Sequence, residues 1–298
     1  MRRIILAAVG ALFSVLAAGE IAVAGGGHVG VGGDGYMISS LPSDRGLYKM
    51  YNIYYYSDKL KDNSGHTAAG DDKVESFTQM HRFLFQTGHK IFGADWMINV
   101  AVPLSWTDMS SGLTGRGHGM DRFGLGDVPV SPMLLGWHGD RWDALFDVLI
   151  FAPIGDYSAD DPSSPGKGYW SIIPAVGLTY YFDEEKTFNI STMARYEMNT
   201  KQRHTDYRHG DNIHWEASIG KTFNGVLDLA LTGGASWQVT DSKGFGDQNG
   251  HHLRKHVIGP EIGLNAWGMN FNLRQLFEFK NKNTTEGSMT VFSIVKMF

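Results

Sequence analysis

The chain has 298 residues, with 26 Lys and Arg against 31 Asp and Glu, a formal charge of −5, and no cysteine. That balance leaves no basic stripe for nucleic acid, and the lack of cysteine excludes a disulfide framework and thiolate metal sites. Beyond residue 24 no apolar run approaches the ~18 residues of a helical span, so a membrane location would require a closed β-barrel.

Arg2 and Arg3 followed by an apolar run over residues 4–18 and the small-x-small triplet Ala22-Val23-Ala24 read as an export signal cleaved after Ala24. Residues 25–46 are glycine-rich and lack a sustained period. They predict an irregular leader, either a tail on the periplasmic side or a hatch folded into a barrel mouth. From residue 47 to 298 the chain reads as one barrel domain.

A period of two then recurs along the chain, which means strand. Strand patterns fall over residues 48–56 and 77–86, and a tight turn is expected at Thr87-Gly88-His89-Lys90. The next strand is the clearest, with Phe92, Ala94, Trp96, Ile98, Val100 and Val102 on one face. Asp95, Asn99 and Ser105 lie on the other, and Met97 is the exception. A single strand is expected from Phe123, a turn at His138-Gly139-Asp140-Arg141, a strand over 142–154, a long loop over 155–168 and a strand over 170–182. Further strands follow at 188–198 and 213–219, then an Asn224-Gly225 hairpin, then strands at 227–239, 258–266 and 271–279 and a closing strand ending at Phe298.

About twelve strands result, with short turns alternating with long loops. This is the grammar of an all-β, antiparallel, up-and-down transmembrane barrel in a Gram-negative outer membrane. Seven of the eight tryptophans (Trp106, Trp137, Trp142, Trp170, Trp215, Trp237 and Trp267) fall at strand ends, where an aromatic girdle meets the membrane–water interface. A soluble two-sheet sandwich would also alternate, but would show no systematic difference between its two sets of loops.

From Phe123 onward the chain resembles the outer-membrane barrel family of meta-pathway phenol-degradation proteins. The resemblance rests on Gly126-Asp127, Leu135-Gly136-Trp137, Pro153-Ile154-Gly155-Asp156-Tyr157, Tyr169-Trp170-Ser171, residues 174–180 and 238–241, and Gly259-Pro260. It implies a transporter of aromatic or other hydrophobic compounds, with outer-membrane lipid and a small hydrophobic solute as partners. The terminal Phe298 resembles the signal that the barrel-insertion machinery reads.

The polar faces nominate a lumen lined by Asp95, Asp143, Asp147, Arg195, Glu197, His214, Glu216, Asp228, Glu261, Arg274 and Glu278. Such a lining can be simple hydration or a constriction that filters solutes. The histidines at 204, 209 and 214 and at 251, 252 and 256 match no zinc spacing, so neither metal nor cofactor is expected. An outer-membrane hydrolase would need a nucleophile; His214 and Ser218 share a face, but no nucleophile motif surrounds Ser218. A structural or adhesive barrel is the third reading.

Prolines supply the last signal. Pro103, Pro129, Pro132, Pro153, Pro174 and Pro260 fall in or beside strands, where proline cannot donate to the ladder. Bulges that set curvature are one expectation. The other is a side opening near Pro129, Pro132 and Pro174 through which an apolar solute leaves for the bilayer.

Overall fold

The computed structural model describes residues 27–70, 72–114, 117–244 and 250–298. The expected export signal and the first two leader residues lie outside them. The alternating segments form β1 (Leu47–Ser57), β2 (Leu60–Lys61), β3 (Val74–Ile91), β4 (Ala94–Met109), β5 (Met120–Leu125), β6 (Val128–His138), β7 (Trp142–Ala152) and β8 (Ser171–Tyr181). They continue as β9 (Phe188–Asn199), β10 (Asn212–Phe223), β11 (Leu227–Gln238), β12 (Arg254–Ala266), β13 (Met269–Glu278), β14 (Thr284–Thr285) and β15 (Ser288–Met297).

Twelve of these pair antiparallel in the ring β1-β3-β4-β6-β7-β8-β9-β10-β11-β12-β13-β15, which closes where β15 returns to β1 over Leu47↔Met297 to Tyr56↔Ser288. The seam continues past the strand ends, because Gly46 and Phe298 exchange two backbone hydrogen bonds of 3.0 Å. Closure satisfies the backbone without an exposed edge, which a chain in lipid requires. β5 extends the ring as a thirteenth strand paired to β4, and β2 pairs with β14 between two long loops.

The burial pattern is inverted relative to a soluble protein. Val176, Leu178, Ile190, Trp215, Leu231, Ile262, Leu273 and Phe277 all face outward and exposed, forming a lipid-facing band. The buried faces carry Ser171, Thr179, Asn189, Ser191, Glu197, Asn212 and His214.

Two local expectations change. The turn expected at residues 87–90 is instead a bulge within the β3–β4 pair, whose register shifts between Gln86 and Lys90. The hairpin turns at Phe92-Gly93, with φ of 52° and 78°, the positive pair that a two-residue turn of matching twist needs. Asn224-Gly225, expected as a hairpin, has φ of 51° and 67° and the closing bond from the Val226 N–H to the Phe223 carbonyl at 2.9 Å. In a third turn, the Phe188 N–H and the Thr187 hydroxyl bond the Asp183 carboxyl and hold it below its ordinary acidity range.

The strand expected from Phe123 is broken at Gly126-Asp127 into β5 and β6. β4 pairs with β6 as far as Val100↔Val130 and with β5 from Leu104↔Leu125 onward. β7 stops at Ala152, opposite Val128, so the far edge of β5 meets the following loop, with the Asp156 N–H bonding the Leu125 carbonyl at 2.7 Å. The wall here is closed by a loop rather than by a strand.

Residues 27–46 run through the barrel interior. Val31 packs with Val257 and Leu276, while Leu41 packs against Leu84, Met97 and Leu134, and Ile38 against Leu145, Ala175 and Met193. These wall residues interrupt the polar lumen face, and they explain the outlier Met97: it points inward because an apolar residue of the leader meets it there.

Candidate functional site

The interior of the barrel and the segment that occupies it form the candidate site. Three levels of contact hold residues 27–46 in place, from the end where β1 begins towards the long-loop end. At the first level the Ser40 hydroxyl donates to Asp143 at 2.6 Å, beside Tyr181, whose hydroxyl donates to the same carboxylate oxygen. The Ser39 N–H bonds the Ser191 hydroxyl at 3.1 Å, and Asn189 donates to the Tyr36 hydroxyl at 2.8 Å.

At the middle level a single carboxylate meets several cations. Asp34 is paired by Arg195 and, at 3.5 Å, by Arg82, while Lys49 donates to the Asp34 carbonyl at 3.2 Å. Arg195 also pairs with Glu216 at 2.5 Å, and Arg274 pairs with Glu261 at 3.0 Å while donating to the Gly32 carbonyl. Backbone N–H groups complete the level: Gly32 bonds Glu216 at 3.0 Å and Tyr36 bonds Glu261 at 2.9 Å. Gly35, at φ 85°, sits so close that a Cβ would overlap the Arg274 guanidinium and the Glu261 carboxylate. Only glycine lets the backbone pass there.

The outer level is built on His28, whose side chain is 3% exposed. Its Nδ1 lies 2.7 Å from the Ser171 hydroxyl and its Nε2 lies 3.0 Å from Asp127. Its backbone N–H donates to Glu197 at 2.6 Å, and Glu197 also bonds His214 at 2.8 Å. The ring stacks on Phe151 with centroids 4.5 Å apart and meets Tyr169 edge-on at 4.7 Å. Asp127, at the break between β5 and β6, also accepts from the N–H groups of Gly155 (3.0 Å) and Lys167 (2.7 Å). One carboxylate thus ties together the interrupted wall, the loop that covers it and the occupying segment.

A family model described as "Putative MetA-pathway of phenol degradation" matches residues 57–294. The chain belongs to that family. Among solved structures it is similar to an outer membrane channel from Pseudomonas putida F1, with TM-score 0.78, 14% identity, and coverage of 89% of this chain and 99% of that one. At this identity the likeness bears on the fold, which is that of a closed outer-membrane barrel. Weaker likenesses include the CymD monoaromatic hydrocarbon channel (TM-score 0.42, 9% identity, 86% and 89% coverage) and the NanC porin (0.45, 8%, 83% and 98%). A search of the curated proteins finds no match.

In this family member, the expected lumen residues divide into two groups. Asp143, Arg195, Glu197, Glu216, Glu261 and Arg274 converge on the interior segment, and His214 joins them through Glu197. The others have local partners. Asp95 pairs with Lys90 at 2.7 Å, and Glu278 pairs with Lys255 at 2.7 Å. Asp228 accepts from Thr222, Asn265 and Asn270, and Asp147 accepts from Ser131 at 3.2 Å. The structure does not join His214 to Ser218: the ring bonds Glu197 instead.

At the prolines, Pro129 stays in register with Phe151, whereas the pairings on both sides of β6 shift around Ser131-Pro132, a bulge whose Pro132 carbonyl accepts from the Trp96 indole at 3.0 Å. Pro174 is paired to Val148 on one side and leaves a gap in the ladder to β9 between Ile172 and Ala175.

Sequence reasoning missed His28, Asp34, Arg82, Asp127 and Ser171. The available signal for Asp34 was a lone charge between two glycines, Gly33-Asp34-Gly35. An isolated carboxylate in a segment with no other reason to be charged points to a partner elsewhere.

Proposed function

We propose that this barrel is a passive uptake channel for small hydrophobic or aromatic compounds, closed in its resting form by residues 27–46. The observation that carries the reading is the membership of a phenol-degradation family together with a membrane-closed ring whose wall is completed by a loop at β5. An apolar solute entering among the long loops meets the Phe151 and Tyr169 rings around His28, beside the break at Gly126-Asp127. Leaving sideways there, past Pro129, Pro132 and Pro174, delivers it to the bilayer rather than to water, which is the favourable direction for an apolar body. The charged lumen residues act as the polar filter of that path. The terminal Phe298 serves the insertion machinery.

The reading assigns no enzymatic activity. Ser171, His28 and Asp127 lie in a Ser–His–Asp order, but the Ser171 hydroxyl is fully buried and also bonded to Asn199 at 2.5 Å, out of reach of a substrate carbonyl. Uptake of toluene and phenol by proteoliposomes, and growth of a deletion strain on limiting aromatic carbon, test the proposal. Uptake that does not depend on the protein, joined to lipid hydrolysis by the purified barrel, would replace channel with hydrolase.

A further inference from the structure

Asp34 behaves as a ligand. Its carboxylate is not on the barrel wall; it is presented by the interior segment to two wall guanidiniums, Arg82 on β3 and Arg195 on β9, while Lys49 on β1 bonds the Asp34 backbone carbonyl beside them. Arg274 lies on the same level, against the backbone of Gly32 and Gly35. The acidic groups facing the cradle are Glu216, engaged with Arg195 and the Gly32 N–H, Glu261, engaged with Arg274 and the Tyr36 N–H, and Asp147, which accepts from Ser131 through one oxygen and lies near Arg82 and Arg195 without pairing with either. Arg82 differs. Among the described residues its one ion pair is with Asp34, and its other partners are the neutral Asn99 (2.7 Å) and the Tyr51 hydroxyl (3.4 Å). When the segment withdraws, Arg82 loses its one ion pair, with only the more distant Asp147 carboxylate nearby, and Arg195 keeps one of two.

We propose that this cradle is a binding site for the carboxylate of a solute with an aromatic or apolar body, and that Asp34 is its resident competitor. A guanidinium fork is shaped for a carboxylate, and two such groups with an ammonium beside them favour an anion over a neutral solute. The Tyr51 ring, with Lys49 4.4 Å over its centre, lies next to the charge site and gives the solute's body an aromatic neighbour. A solute carboxylate that replaces Asp34 keeps the arginines paired while the segment leaves, so binding and opening become one exchange. Uncompensated buried charge, which would otherwise oppose withdrawal, is thereby avoided. The biological meaning of the site rests on the uptake reading; the binding itself does not.

Benzoate is the probe, with benzamide as its neutral counterpart, titrated calorimetrically into the detergent-purified full chain. Asp34→Asn removes the competitor's charge and keeps its shape, so benzoate should bind it at least about tenfold more tightly than the parent, a change of about 1.4 kcal/mol. Adding Arg82→Gln should abolish the gain, and benzamide should distinguish none of the variants. Equal benzoate affinity in the parent and Asp34→Asn, or a gain shared by benzamide, overturns the site. If Asp34→Asn fails to assemble, a Val31→Cys chain supplies the second measurement: benzoate should speed maleimide labelling at least about threefold and benzamide should not, and no acceleration overturns the proposal equally. Benzoate binding without transport of any solute would overturn the uptake reading alone, and transport without benzoate binding would overturn the site alone.

Discussion

His28 is the outermost described side chain that anchors the interior segment, beside the Gly27 carbonyl that Lys167 bonds, and its removal should loosen that end without harming the wall. His28→Ala deletes a hydrogen bond to the Asp127 carboxylate, one to the Ser171 hydroxyl, and ring contacts with Phe151 and Tyr169. A hydrogen bond to a charged group contributes roughly 1.5–3 kcal/mol, a neutral one about 1 kcal/mol, and the aromatic contacts roughly 0.5–1.5 kcal/mol. The sum is about 3–5.5 kcal/mol, so the detached population of the outer end should rise by about 10²–10⁴. Asp127 keeps the N–H groups of Gly155 and Lys167, and Ser171 keeps Asn199, so neither is orphaned in the wall. The chain lacks cysteine, which makes a single introduced thiol a clean reporter. Val31 is 4% exposed and packed on Val257 and Leu276, so Val31→Cys is shielded while the segment is docked. In outer-membrane vesicles, labelling by an impermeant maleimide should accelerate by that factor when His28→Ala is added, with heat-modifiable gel migration unchanged. A labelling rate within about twofold of the Val31→Cys parent would refute the view that His28 anchors the segment.

Leu41→Ala empties a place among Leu84, Met97 and Leu134 and should lower stability by about 2–4 kcal/mol, read as a reduced thermal midpoint; an unchanged midpoint would mean that the segment contributes no packing. Trp96→Phe removes the indole bond to the Pro132 carbonyl and should cost about 1 kcal/mol, with a looser bulge detected as faster amide exchange around residue 132. A Pro129→Thr, Pro132→Val double variant restores two ladder donors and should slow release of an apolar solute to the bilayer; normal transport would remove the side exit. Deleting Phe298 should reduce the assembled fraction in cells, and it also breaks the pair of bonds to Gly46, so refolding into detergent must be measured in parallel to separate insertion from stability.

The long strands were legible in the sequence because a wall with lipid on one side and a polar interior on the other must alternate with period two. That pattern survives in Trp142, Ala144, Phe146, Val148 and in Ile258, Pro260, Ile262, Leu264 without knowledge of any partner. The Asn224-Gly225 turn was legible for the same local reason, since its positive φ angles are tolerated by those two residues. Phe92-Gly93 was not: register between β3 and β4 placed the turn there and absorbed Gly88 into a bulge. The break at Gly126-Asp127 depends on where β7 ends and on the loop that bonds Asp127, neither of which is encoded in the broken strand itself.

The course of residues 27–46 was decided by tertiary structure alone. Glycine gives no period, and the groups that bind this stretch lie far along the chain, 169 residues from His28 to Glu197 and 225 from Tyr36 to Glu261. Those groups come together in the closed ring. A lone Asp34 and an inward Met97 were present in the sequence from the start, but their meaning depends on an interior that no local stretch of chain can build.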